Sequence, residues 1–229
     1  MRIAEAAHAA HEYTGAAVTV LGAVTIRHRG PATLVTNHPQ REILLALAAQ
    51  VGRSVPKDEL IDHVWGPEAP PTARNMIYRH VGELRRMLEP GLPRHAEGRR
   101  IVRTRDGYRL MATLDTLDLL RFRDGVGRAR VLEARREHHA ALETFAAMLA
   151  LRAGPMSFGP GRGLPGRTPV TAVRHEYLAV FKDAVDLALR VDRAGDLVHL
   201  VRRHAADLMA DPDMRARVEL LRRTCSPAP

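Results

Sequence analysis

Residues 72–88, TARNMIYRHVGELRRML, hold a dense set of side chains able to recognise a polyanion. Asn75 and Arg79 carry planar groups that hydrogen-bond base edges in pairs, Asn to adenine and Arg to guanine, each good pair giving roughly 1–3 kcal/mol of discrimination. Arg74 and Arg86 suit phosphates. Tyr78 and Arg85 share their arc, and Gly82 either lets a backbone approach closely or is a neutral surface position. A second set follows, with six arginines from Arg94 to Arg109 against Glu97 and Asp106, a net of +4 in sixteen residues. Within it Arg103 and Arg105 can enter a narrow groove or bind phosphate, and which of them reaches a partner is open.

Other chemistries find little support. His8, His11 and Glu12 follow neither H-E-x-x-H nor H-x-x-E-H, and the neighbours His138 and His139 point to different sides of any helix, so no metal is expected. GPGRGLPGRTP, residues 159–169, contains G-x-G-x-x-G at Gly161, Gly163 and Gly166 without a following Lys-Ser/Thr or a preceding strand. A linker is expected there rather than a phosphate loop, and no cofactor. No nucleophile with base and orienter, and no carboxylate pair, can be assembled, which points away from an enzyme.

The whole chain agrees with a polyanionic partner. Its 229 residues carry 35 Lys and Arg against 26 Asp and Glu, a formal +9 with a sequence pI near 10.8, and a polyanion is a reasonable counterpart. A single cysteine, Cys225, supports neither an internal disulfide nor a Cys-based zinc site. The longest aliphatic run, Ile43 to Ala49, is far short of the roughly 20 residues that span a bilayer, and Glu5, His8, His11 and Glu12 interrupt any leader-like start. A cytoplasmic protein with no membrane partner is expected.

These side chains need elements to position them. Residues 1–16 suggest a flexible arm. VTVLGAVTI, a turn at HRGPA and TLVT suggest small antiparallel strands. Asn37 with Gln40 three residues later opens a helix over about 38–51. A short helix over 57–64 ends at Gly66, with Leu60, Ile61, Val64 and Trp65 inward. Thr72 is a candidate cap for a long helix to about Leu88, stopped by Pro90 and Gly91, with Ile77, Val81, Leu84 and Leu88 as its apolar stripe. RRIVRTRDGYRLMA then turns at Asp106-Gly107 as a β-hairpin. From about Asp115 helical stripes take over: Leu119, Phe122 and Val126; Leu142, Phe145, Ala146 and Leu149; Tyr177, Phe181, Ala184 and Ala188; Leu197, Leu200, Val201, Ala205 and Leu208. A last helix starts at Asp211-Pro212 with Val218 and Leu221 inward. Tyr108 and Trp65 are expected to pack the small core.

Strands, three helices and a basic hairpin in this order look like a winged helix. Residues 18–113 resemble the effector domain of OmpR-type response regulators through TARNMIYRHVGELRRML and DGYRL, with no receiver domain expected ahead of it. LVTNHPQREILLALAAQVGRSVPKDELIDHVWGPEAPPTARN is similar to the N-terminal domain of the Streptomyces antibiotic regulatory protein family. RFRDGVGRA, LALRAGPMS and RHEYLAVFKDAVDLAL resemble the bacterial transcriptional activator domain that follows in that family. In the wing, R-T-R-D-G-Y replaces the T-R-P-P-G-Y of many relatives, displacing the arginine.

The resemblance implies an α+β winged helix-turn-helix domain over 17–113, then a shortened all-α, tetratricopeptide-like domain over 114–223 and a tail over 224–229. It implies an activator that binds direct repeats in promoter DNA, contacts RNA polymerase including its sigma subunit, and switches on a biosynthetic gene cluster. A homodimer on DNA is possible. Residue spacing itself does not separate activation from repression, and the alternatives are a protein-interaction module with only nonspecific DNA binding or a repressor using the same winged helix.

Overall fold

The computed structural model describes residues 17–93, 96–157 and 168–225. The expected N-terminal arm, the pair His8 and His11, Arg94, nearly all of the glycine-rich linker and the last four residues of the tail lie outside them. The chain forms two compact units. One holds the described residues up to Leu120 together with Ser157 and residues 168–174; the other holds Arg121–Met156 and His175 onward.

The first unit opens on a three-stranded antiparallel sheet, β1 (Ala17–Thr19), β2 (Thr25–Arg27) and β3 (Thr33–Leu34), in the order β1-β2-β3. The run VTVLGAVTI is therefore two strands, folded back at Leu21–Ala23, with Val18, Val20, Leu21, Val24 and Ile26 buried. Helix α1 (His38–Ala49) starts as expected: Asn37 Oδ1 accepts the Gln40 N–H at 3.2 Å, and Pro39 sits in the first turn. The Gln40 side chain does not close a reciprocal capping box, because its amide donates to Glu83 at 2.6 Å. The helix stops two residues early, as the chain turns through Gly52 at φ +81°. Every residue from Glu42 to Ala49 is buried, so α1 is the central element of the unit.

Helices α2 (Lys57–Trp65) and α3 (Ala73–Leu88) pack on α1 and on each other. The stripe Ile77, Val81, Leu84 and Leu88 is buried as expected. Two expectations need correction. In α2 the inward positions are Leu60, His63 and Val64, while Ile61 and Trp65 remain half-exposed, since a nine-residue helix buries only a narrow strip. Thr72 sits at the cap position without capping; its backbone is at φ −90°, ψ 5°, the Ala73 N–H bonds the Pro70 carbonyl, and its hydroxyl lies against Met76 Sδ at 3.7 Å. The unit closes with a second sheet, β4 (Val55–Pro56), β5 (Ile101–Arg103) and β6 (Gly107–Leu110), in the order β4-β6-β5.

The second unit is helical. The unit division falls within α4 (Asp118–Ala134), and α5 (His138–Ala150) follows after a tight turn with Arg136 at φ +63°. Gly125 faces Met148 so closely that a Cβ there would strike its thioether. Ion pairs then give the stacking order. Arg123, Arg130 and Glu133 meet Glu176, Asp183 and Arg190 in turn, so α6 (Pro169–Arg190) runs parallel to α4. Lys182 and Asp186 meet Asp213 and Arg217, so α9 (Pro212–Cys225) runs parallel to α6. Helices α4, α6 and α9 thus share one direction, as in stacked helical hairpins. The expected single stripe Leu197–Leu208 is broken into a 3-10 turn (Ala194–Leu197), α7 (Val198–Arg203) and α8 (Ala205–Leu208), because His204 leaves helical geometry at φ −109°, ψ 13°. Ala205 is consequently only half-buried. Pro212 opens α9 as expected, with the Asp211 carboxylate accepting the Met214 N–H at 2.9 Å.

Candidate nucleic-acid interface

Helix α3 has one buried face and one open face, and all but Arg85 of the residues that the sequence placed on the open arc keep their side chains clear of the core. Arg74, Asn75, Tyr78, Arg79 and Arg86 are exposed, with Tyr78 at 41%. Gly82 and Arg85 are half-exposed. The buried face is held in register by His80, whose Nδ1 lies 3.3 Å from Glu83, and by the Gln40–Glu83 bond that ties α3 to α1. Beneath them His63 Nε2 lies 3.2 Å from the largely buried Glu42 carboxylate. Burial alone would raise the Glu42 pKa, but the His63 contact and the charges of Arg41 and His38 outweigh it and hold the carboxyl below its usual range.

The hairpin β5–β6 is the wing. Its register pairs Ile101 with Leu110, Val102 with Arg109 and Arg103 with Tyr108. The Thr104 N–H donates to the Gly107 carbonyl at 3.0 Å, leaving Arg105 and Asp106 exposed at the tip. The wing is fastened to the first turn of α2: the Lys57 N–H donates to the Asp106 carbonyl at 3.0 Å, and the Ser54 and Thr104 hydroxyls meet at 2.6 Å. Gly107 is required at its position, since any Cβ would run into the Val55 carbonyl across the β4–β6 pair. This is the physical reason for the glycine in DGYRL.

Helix α3 and the wing enclose a concave surface of about 400 Å³, lined in part by Tyr78, Arg79, Arg86, Arg103 and Tyr108. At its base the Tyr78 and Tyr108 rings meet edge-on with centroids 6.4 Å apart. Burial, reinforced by Tyr78, pushes the Tyr108 phenol above its ordinary pKa, against the opposing pull of Arg85 and Arg103. Tyr108 is buried as expected.

The arginines divide by role. Arg85 turns into the protein: its Nε donates to the Ile101 carbonyl at 2.8 Å and its guanidinium lies 5.8 Å from the Tyr108 ring, clamping α3 to the wing. Arg74 pairs with Asp58 at 2.7 Å on the open surface. Arg79 reaches Glu83 only at 4.0 Å, a weak tether that leaves it available to a partner. Arg103 lies over the Tyr78 ring at 5.9 Å. A Cβ on Gly82 would meet only the flexible end of Arg86, at 3.8 Å, so the glycine is not demanded by the fold.

Sequence reasoning missed Lys57, whose ammonium sits 5.4 Å from the Tyr78 centroid. A signal was present, because a cation in the first turn of a helix opposes the macrodipole and needs some other reason to be there. It also missed Glu89, whose carboxylate accepts the Arg99 and Arg100 N–H groups at 3.0 and 3.1 Å and fixes the approach to the wing. Among the described residues no group of His, Cys, Asp and Glu could hold a metal ion, and no helix is long and apolar enough to cross a membrane.

Comparison with known proteins agrees with this geometry. Residues 33–110 match the family described as transcriptional regulatory protein, C terminal. The chain is 36% identical over 107 residues to the regulatory protein AfsR of Streptomyces coelicolor, covering 46% of this chain and 10% of that protein. It is 28% identical over 175 residues to the transcriptional regulator RedD of the same organism, covering 72% and 49%. A third similarity, 49% identity over 51 residues, is to the transcriptional regulatory protein VxrB of Vibrio cholerae, covering 22% and 20%. The chain therefore spans from a tenth to about half the length of these relatives. Its fold matches that of Mycobacterium tuberculosis EmbR, solved with a low-affinity phosphopeptide, at a TM-score of 0.63 and 19% identity over 93% of this chain and 66% of that one. The winged helix over residues 33–110 thus carries a transcriptional regulatory domain, and the chain as a whole is similar to Streptomyces transcriptional regulators.

Proposed function

We propose that this protein is a sequence-specific DNA-binding transcriptional activator, acting in the cytoplasm on the promoter of a secondary-metabolite gene cluster. The observation that carries the reading is the open face of α3, where Asn75, Arg79 and Arg86 stand exposed beside a wing that presents Arg105. A helix of this kind enters the major groove, and a hairpin beside it reaches the neighbouring backbone or minor groove. In this reading Asn75 and Arg79 address bases, Arg74, Arg86, Arg103 and Arg105 address phosphates or the minor groove, and Arg85 positions the wing. Residues 17–113 would be the DNA-binding domain and 114–223 the activator domain. Two copies would sit on promoter direct repeats as a homodimer on DNA and engage RNA polymerase through its sigma subunit. Both statements rest on the similarity to family members.

Selection of bound duplexes from a random library, followed by footprinting, tests the reading. An enriched motif protected as two direct repeats is expected, and Arg79→Ala should weaken preference for it by about 1–3 kcal/mol at one base position. Absence of any enriched sequence, with affinity that merely collapses as salt rises, would sink it, because counterion release would then supply all the binding.

A further inference from the structure

The Tyr78 ring is the meeting point of three elements. Lys57 Nζ, from the first turn of α2, lies 5.4 Å from its centroid, and the Arg103 guanidinium, from the end of β5, lies 5.9 Å from it. Tyr78 is 41% exposed, and its other neighbour is the buried Tyr108 ring, edge-on at 6.4 Å. An aromatic face attracts cations and restricts where long side chains can swing. Lys57 is anchored further by its own N–H, bonded to the Asp106 carbonyl.

We infer that Lys57 and Arg103 form a two-point phosphate clamp, and that Tyr78 is a positioning residue which holds both cations on its ring and makes no essential base contact. The inference rests on the DNA-binding reading above and adds to it a ligand residue, Lys57, and a role for Tyr78. Charge alone does not fix a phosphate contact. Lysine and arginine each lose rotamer entropy when bound, and a ring that has already gathered them lowers that loss. The first helix of a helix-turn-helix crosses the DNA backbone, which is where a residue at the start of α2 belongs. The wing supplies the other cation, so one ring ties together the phosphate contacts of two elements that the sequence separates by 46 residues.

The test measures affinity of the full chain for the selected duplex, and for a random-sequence duplex of equal length, by fluorescence anisotropy from 50 to 200 mM salt. Each phosphate contact adds about 0.9 to the slope of log affinity against log salt, or about 3.5-fold in affinity across that range. Lys57→Gln and Arg103→Gln should each lower the slope by about one contact. Tyr78→Leu removes no charge, yet it should lower the slope by between one and two contacts, while Tyr78→Phe, which keeps the ring, should restore the original value. A Tyr78→Leu protein that binds more weakly with an unchanged slope would overturn the inference, since the ring would then be a base contact or simple packing. Should the leucine variant fold poorly by circular dichroism, Lys57→Gln decides alone: an unchanged slope overturns the clamp. Because the random duplex offers phosphates without a motif, the slopes test the clamp even where selection finds no preferred sequence, and the two failures stay distinct.

Discussion

At the scale of single residues, the least expected feature is a buried polar cluster in the helical unit. Arg152 is 1% exposed, is ion-paired with Asp207, donates to the Gly154 carbonyl at 3.1 Å and covers the Tyr177 ring at 5.2 Å. The Tyr177 hydroxyl donates to the Leu149 carbonyl at 3.0 Å. His204, equally buried, stands edge-on to the Tyr177 and Phe181 rings. Burial first, and then the charges of Arg152, Arg203 and His199 against the opposing pull of Asp207, lower the His204 pKa to about 4 from an ordinary 6.5. The unfolded chain therefore takes up this proton first. Stability from a neutral His204 is complete above about pH 6.5 and is lost as pH falls toward 4. Urea denaturation should show a loss of about 2 kcal/mol between pH 7 and pH 5 attributable to this group, and His204→Phe should flatten that part of the profile. A profile identical in the variant would refute the assignment. The depressed Glu42 carboxyl has its effect at lower pH, since stability from a lowered carboxyl pKa is lost only as pH falls through values below 4.5.

At the scale of elements, the wing depends on one missing atom. Gly107 lies against the Val55 carbonyl in the β4–β6 pair, where backbone cannot yield as a side chain would. Gly107→Ala should cost about 1–3 kcal/mol by overpacking and loosen the wing from α2, visible as a lower urea midpoint and weaker DNA binding together. Gly125 makes a useful contrast, because its close neighbour is the flexible Met148 side chain. A second junction is Asp118, whose carboxylate accepts the Val20 N–H at 2.9 and 3.0 Å and the Leu21 N–H at 3.0 Å. It ties the first turn of α4 to the β1–β2 bend, 97 and 98 residues away. No periodicity in the sequence announces that pairing. Asp118→Ala would leave two backbone donors unpaired at about 1–3 kcal/mol each, measurable as a drop in unfolding free energy.

At the scale of the whole molecule, a formal charge of +9 draws the chain to DNA over distances that salt screens. Specificity must then come from geometry. If two copies read direct repeats, their sites share one face of the duplex only when spaced by about 10–10.5 bp. Inserting about half a turn, 5 bp, between the repeats should abolish cooperative binding in a mobility-shift assay, and a full-turn insertion should restore part of it. Cooperative binding that ignores the insertion would speak against paired copies.

Much of the first unit was legible in the sequence because its signals are local. The Asn37 cap, the stripe Ile77–Leu88, the turn before Gly107 and the exposed arc of α3 each depend on residues within a few positions of one another. What the tertiary structure alone decided depends on partners far apart in the chain. Arg85 resembled any other basic residue on the α3 arc, and only the Ile101 carbonyl makes it a clamp. Lys57 gained its place from the Tyr78 ring. The parallel stacking of α4, α6 and α9 is written in ion pairs between separate helices, which no single-helix pattern reveals. Hydrophobic spacing determines which face of an element turns inward, and the meeting of elements determines what its polar side chains then touch.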